Sequence, residues 1–200
     1  AAEYRRDAEV FGLLAYRLEK ERAAFSHANY SYRYPRPGQP PMAYGAHTRR
    51  YLRRRVWRTL RRMGAIGDPD YVKMAVGVLL PFTDADGEEP RRVGRASWDR
   101  FARYWAFGGV LFANSPRYEQ ATNGKTWRCR AGVRPGTPSP AAREEAFPAL
   151  WDARPAGLMH LLAASACLPV HEMAAKAIRA SGAFLDQPDV DDVIMLLGRP

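Results

Sequence analysis

Eight arginines fall within the fourteen positions 49–62: Arg49, Arg50, Arg53, Arg54, Arg55, Arg58, Arg61 and Arg62. A guanidinium keeps its charge at any physiological pH and presents a planar fork that matches phosphate and carboxylate oxygens. The chemistry such a run offers is therefore the binding of anions, above all repeated ones. Thr48 offers an N-cap and Gly64 a stop, so the spacing predicts a helix over 48–63. At about 100° per residue, Leu52, Val56, Leu60 and Met63 fall within about 80° of one another and form its inward stripe. Arg50, Arg54, Arg55, Arg58, Arg61 and Arg62 spread over about 140° of the far side. Tyr51 stands among them, where its ring can stack under a guanidinium. Arg49 and Arg53 flank the stripe and are expected to make structural ion pairs, and Trp57 sits at its edge.

Six like charges on one face repel, each i,i+4 pair by a few tenths of a kcal/mol, so the face calls for a counter-charge. Nucleic-acid phosphates are one source, and an acidic partner protein or neighbouring domain is another. The chain itself offers a third in Asp84, Asp86, Glu88 and Glu89, an acidic loop that could fold back over the helix. A bias of base composition toward arginine codons would also give 27 Arg against 4 Lys with no function attached. A weaker basic-aromatic spot is formed by Lys125, Trp127, Arg128 and Arg130. Alternating Tyr30, Tyr32, Arg33, Tyr34 and Arg36 could add base stacking on a single strand; equally, the three tyrosines would share one side of an extended segment and pack on the helices.

Catalytic patterns are sparse. His27, His47, His160 and His171 make no HExxH pair, and His160, Cys167 and His171 would lack a fourth ligand, so neither a metal nor a cofactor is expected. There is no GxSxG motif. Asn123-Gly124-Lys125-Thr126 resembles the tail of a phosphate loop but lacks its first glycine and its helix.

The arginine helix also accounts for the balance of the whole. Over 200 residues the formal net charge is +10 and the sequence pI about 10.0. Residues 1–63 carry 15 basic and 5 acidic side chains, 64–140 carry 11 and 8, and 141–200 carry 5 and 8. The net charge of the first third thus equals that of the chain, which marks a local electrostatic surface. With 46% hydrophobic residues the composition is globular, which excludes a disordered, collagen-like or coiled-coil chain. No run approaches the ~20 apolar residues of a membrane span. The opening AAEYRRDAEV lacks the pattern of a signal peptide, and Cys129 and Cys167 lie 38 residues apart outside any CxxC pair. The expected compartment is the cytoplasm. The missing initiator Met and a helix signal at 189–197 lead to the expectation of a longer parent chain.

The elements that must position these residues are mostly helices. Val10, Phe11, Leu14 and Leu18 form a stripe in a helix expected over 3–25. Residues 26–46 read as a long Tyr/Pro loop. Asp68 and Pro69 open a helix that ends before Pro81. Residues 81–96 read as a polar connector, and Ser97 as the cap of a helix holding Trp98, Phe101, Ala102 and Trp105. In the Gly- and Pro-rich segment 114–139 only 125–133 suggests a short strand. Short helices are expected over 141–146 and 148–153, and a pair joined by a tight turn over 155–166 and 169–181.

Two of these helices share a pattern. Asp68-Pro69-Asp70-Tyr71-Val72-Lys73 leads to Gly77 and Leu79, and Leu168-Pro169-Val170-His171 leads to Ala174, Ala177 and Ile178. Each has a Pro-led start, Val followed by a basic residue or His, small residues and an aliphatic close. This resembles the second helix of HEAT-like repeats, which implies stacked helical hairpins, neither helix of which can bury its face alone. The segment from YLRRRVWRTLRRMG to DPDYVKMAVGVLL is also similar to helical regions of bacterial proteins that carry WGR or molybdate-regulator-like domains. It holds no WGR motif, so no property of that domain follows.

The expected fold is all-α: a HEAT-like, solenoid-like array of helical hairpins with an irregular loop and short-strand insertion. Its parts are an N-terminal helical region over 1–113 carrying the basic helix 48–63, the insertion 114–139, and a C-terminal repeat region over 140–200, continuous as one domain. The expected function is non-catalytic binding of nucleic-acid backbone, DNA or RNA, through Arg50, Tyr51, Arg54, Arg55, Arg58, Arg61 and Arg62. The alternative is a protein-interaction scaffold whose partner covers the basic helix. A minor alternative follows from HEAT-like DNA glycosylases, in which Trp98, Asp99, Arg103 and Trp105 would form the catalytic set.

Overall fold

A computed structural model describes residues 2–21, 45–122 and 124–181. The Tyr/Pro loop up to Tyr44 and the helix signal at 189–197 lie outside these residues. The expected single N-terminal helix is two: α1 (Ala2–Arg5) and α2 (Ala8–Lys20). Arg6 between them takes a left-handed conformation with φ 55°. Its guanidinium is held 2.5 Å from the Asp68 carboxylate, and the Asp7 carboxylate caps α2 by accepting from the Val10 amide at 3.0 Å. The inward face of α2 is Phe11, Gly12, Ala15 and Glu19, whereas Val10 and Leu14, expected in the core stripe, are about half exposed.

The basic helix, α3, runs Ala46–Ala65 and buries Val56, Trp57, Leu60, Met63 and Gly64. Gly64 does not stop it. A Cβ there would lie 2.2 Å from the Phe147 ring, so this glycine serves packing. The chain turns at Gly67, whose φ of +68° suits a residue without a side chain. Asp68 and Pro69 precede α4 (Tyr71–Leu79), which is buried on nearly all sides. Its main neighbour is α2, not α3. A Cβ on Gly12 would meet the Gly77 carbonyl oxygen at 1.8 Å, so the two backbones touch without intervening side chains.

The connector contains a 3₁₀ turn at Asp84–Asp86 and an antiparallel hairpin of β1 (Arg91–Val93) and β2 (Ala96–Trp98), with Arg91 opposite Trp98. Ser97 and Trp98 are therefore strand residues and not the start of a helix. The alternation of Arg92, Val93, Ser97 and Trp98 around Gly94, at φ 58°, is the strand signal that the expected cap obscured. α5 (Trp105–Leu111) is wholly buried. Gly108 and Gly109 sit inside it, where added side chains would strike Trp127 and Trp57. In the insertion, β3 (Tyr118–Gln120) pairs antiparallel with β4 (Trp127–Cys129), which lies inside the expected strand segment. Residues 141–146 form no helix. The three helices that follow are α6 (Pro148–Asp152), α7 (Pro155–Ala164) and α8 (Leu168–Ala180), close to the expected bounds.

Eight helices and two small sheets among the described residues make the chain mostly helical. One hydrophobic core extends from Phe11 to Ile178. Its centre is aromatic, with Phe82 packed on Phe107, Tyr104 and Tyr16 at centroid distances of 4.6, 4.9 and 5.0 Å. None of the helices among the described residues is long and apolar enough to cross a membrane.

Candidate nucleic-acid interface

The arginines of α3 divide by what their neighbours offer. Arg53 turns inward and meets Glu19, its Nε donating to Oε2 at 2.6 Å. The same guanidinium donates to the carbonyls of Arg103 at 2.6 Å and Lys125 at 3.5 Å. Glu19 is only 2% exposed. Its second oxygen accepts from the amides of Trp105 and Ala106, at 2.9 and 3.1 Å, and so caps α5. Burial pushes the Glu19 carboxyl above its ordinary range against the pull of Arg53 and these amides. Arg49 donates to the carbonyls of Leu18 and Glu19 at 2.9 and 2.8 Å, at the C-terminal end of α2 where a cation is favoured. Both flanking arginines are thus structural. Arg49 is so through carbonyl oxygens and Arg53 through an ion pair.

On the opposite side Arg50, Tyr51, Arg54, Arg58, Arg61 and Arg62 are exposed. Arg58 lies over the Tyr51 ring at 5.3 Å from the centroid. Arg54 donates to the Gly124 carbonyl at 3.3 Å, which sets Gly124 and the exposed Lys125 beside the helix. Arg55 differs from the rest. It is partly buried and forms a two-pronged pair with Glu3, and Thr59 donates to the same carboxylate at 3.3 Å. The Arg55 bond holds the Glu3 carboxyl below its usual range. Of the six outward arginines, five remain for an external anion. For Arg50, Arg61 and Arg62 there is no partner among the described residues.

The acidic loop does not cover this face. Asp84 accepts from the Leu168 amide at 2.8 Å, at the start of α8. Asp86 takes Lys20 at 2.6 Å, Tyr16 at 3.0 Å and the Thr83 amide at 2.8 Å. Burial opposes its ionisation, but these bonds hold its carboxyl low. Glu88 pairs with Arg103. The expectation of an internal cover is corrected on these three carboxylates, because each is bound to another element.

The second basic-aromatic spot is corrected too. Trp127 is 3% exposed, with Nε1 donating to the Trp105 carbonyl at 3.2 Å, so its ring is not open to stacking. Arg128 and Arg130 both pair with Glu119, at 2.7 and 3.5 Å.

A cavity of about 220 Å³ lies between residues 99–102, the end of α5, the 136–139 segment and α8. Its polar wall is a network that sequence reasoning missed. Glu144 accepts from Arg117 at 2.7 and 3.0 Å, from Ser115 at 2.5 Å and from Ser139 at 3.1 Å, with Lys176 at 3.8 Å. Against the desolvation of burial, Arg117, Ser115 and Ser139 hold the Glu144 carboxyl below its ordinary range. Asp99 lines this cavity, accepting from the Tyr118 hydroxyl at 2.7 Å and the Gly136 amide at 2.9 Å. Trp98, Arg103 and Trp105 do not line it, so the glycosylase-like set is not brought together. Cys129 and Cys167 are buried, and desolvation pushes the Cys167 thiol up to about 12. No group of three metal-ligating side chains occurs among the described residues; His171 Nε2 lies 2.7 Å from the Ser165 carbonyl.

The sequence did carry one signal for Glu19. Phe11, Ala15 and Glu19 are four apart, so the carboxylate continues the buried stripe of α2 and must meet a buried cation or donors there. Set against known protein families, curated proteins and solved structures, the chain matches none of them.

Proposed function

We propose that this chain is a non-catalytic helical-repeat module of a HEAT-like kind that binds nucleic-acid backbone through the outer face of α3. One observation carries the reading. Five arginines stand exposed on one face of one helix, while three carboxylates of the acidic loop are held by other elements. The inner arginines fix that face to the core through Glu19, so the charges are presented on a rigid support. The α7–α8 hairpin, with its three-residue turn, supports the repeat kinship. Contacts to backbone alone would make binding insensitive to sequence and steeply sensitive to salt. With five phosphates neutralised, log K falls against log salt with a slope of about −4 to −5 on a duplex and about −3.5 on a single strand. Fluorescence anisotropy with DNA and RNA strands at several salt concentrations tests this. Binding at low salt that is abolished by Arg54→Glu, Arg58→Glu and Arg61→Glu together supports the reading. Absence of binding at low salt, or binding indifferent to that triple variant, overturns it.

A second reading is an acidic protein partner seated on the same face. It is favoured by the two carboxylates that already engage α3, Glu3 on Arg55 and Glu19 on Arg53. It predicts loss of a protein complex, and no effect on oligonucleotides, in the same triple variant.

A further inference from the structure

We infer that the nucleic acid taken by α3 is single-stranded, and that one of its bases stacks on Tyr51. The inference rests on the nucleic-acid reading above and deepens it.

Tyr51 is the aromatic side chain on the arginine face, and it is 52% exposed. Among the tyrosines of the core, Tyr71 and Tyr104 are fully buried, so Tyr51 is not held outward for want of alternatives in aromatic packing but by its place on the helix. One guanidinium lies against its ring. Arg58, seven residues on, lies over it at 5.3 Å from the centroid. Arg55, four residues on, is clamped by Glu3 and hence to α1. A ring oriented in advance loses little conformational freedom when a flat partner arrives. Arg50 and Arg54 flank it at one residue before and three residues after, so phosphates on either side of a stacked base find cations.

This arrangement suits a strand whose bases are free. In a duplex the faces of the bases are already stacked on one another, and an outward helix meets sugars, phosphates and base edges. An unpaired base can leave its neighbours and lie on an aromatic ring or a guanidinium plane, and here the Arg58 guanidinium already lies over the Tyr51 ring. Stacking of this kind tolerates any base, because every base has a flat face.

The test uses the full chain and four probes of equal length: a thymidine DNA strand, a uridine RNA strand, an abasic phosphodiester strand and a DNA duplex. At one salt concentration the base-bearing strands are expected to bind about 5- to 150-fold more tightly than the abasic strand, the range that one stacked base supplies. Tyr51→Ala should abolish that ratio while leaving abasic affinity and the salt slope unchanged, and Tyr51→Phe should retain it. A Tyr51→Trp variant should add an emission component quenched by the base-bearing strands and not by the abasic one. Equal affinity for base-bearing and abasic strands, or tighter binding of the duplex, overturns the inference and leaves the nucleic-acid reading standing. Silence from all four probes at low salt overturns that reading, and the inference falls with it.

Discussion

Arg53 and Arg58 lie five positions apart on one helix, yet their surroundings are opposite. Arg53 reaches a buried carboxylate, two carbonyls and through Glu19 the first amides of α5. Arg58 covers an exposed tyrosine ring. The side chain is the same and the backbone conformation is the same, so the difference lies in the angle about the helix axis. An arginine near the apolar stripe becomes a structural clamp, whereas one turned away stays available. The Arg117–Glu144 network beside α8 belongs with the inner kind: the two side chains are 12% and 6% exposed.

The contrast can be broken from its buried side first. Arg117→Ala strands the Glu144 carboxylate among groups arranged for an ion pair, and is expected to destabilise the fold by about 3–5 kcal/mol. Chemical denaturation measures it, and a change within the error of the wild-type value would place Arg117 with the outer arginines. Backbone contact is next in size. Gly12→Ala forces a methyl group toward the Gly77 carbonyl and should cost about 1–3 kcal/mol by overpacking between α2 and α4; the midpoint in urea reports it. Acid then sharpens the distinction. Asp86 and Glu144 titrate below their ordinary range when folded, so their contribution is present above about pH 4 and is lost as pH falls through the folded values. Thermal melts between pH 2 and 6 should show stability rising with pH, and Glu144→Gln should flatten part of that rise. The smallest effect on stability belongs to the outer face. Arg50→Ala or Arg62→Ala should change it by no more than about 0.5 kcal/mol. Each arginine that contacts phosphate should instead reduce the magnitude of the salt slope by about 0.7 on a single strand when removed.

Periodicity placed Val56, Leu60 and Met63 of the inner stripe of α3 correctly because arginine and aliphatic residues alternate there with a clear 3.6-residue spacing, whereas Leu52, expected with them, is only partly buried and outside the core. It misplaced Val10 and Leu14 because α2 meets α4 through glycine, and a backbone contact at Gly12 carries no hydrophobic mark in the sequence. The pair Pro155–Ala164 and Leu168–Ala180 was legible from its Pro-led starts, as was the strand within 125–133. The β1–β2 hairpin was hidden because Ser97 reads equally well as a cap, and only pairing across the Gly94 turn decides between the two. The outward arginines were legible except for Arg55, whose partner Glu3 is 52 residues away. Likewise, nothing local to 81–96 announces that Asp84 caps α8 or that Asp86 accepts from Lys20. Long-range pairing decides which charges remain for a partner, and a single sequence gives no register for it.

The Glu19 carboxylate has a consequence for the order in which the chain assembles. It lies on α2, its guanidinium partner comes from α3, 34 residues on, and its amide donors come from α5, 86 and 87 residues on. A half-formed state that buries α2 against either one alone leaves a carboxylate short of donors and carries the desolvation penalty without its full compensation. Such states are disfavoured, so the Glu19 site couples the three helices to one another. The helix that carries the basic face is thereby tied to the core by the same carboxylate that caps α5.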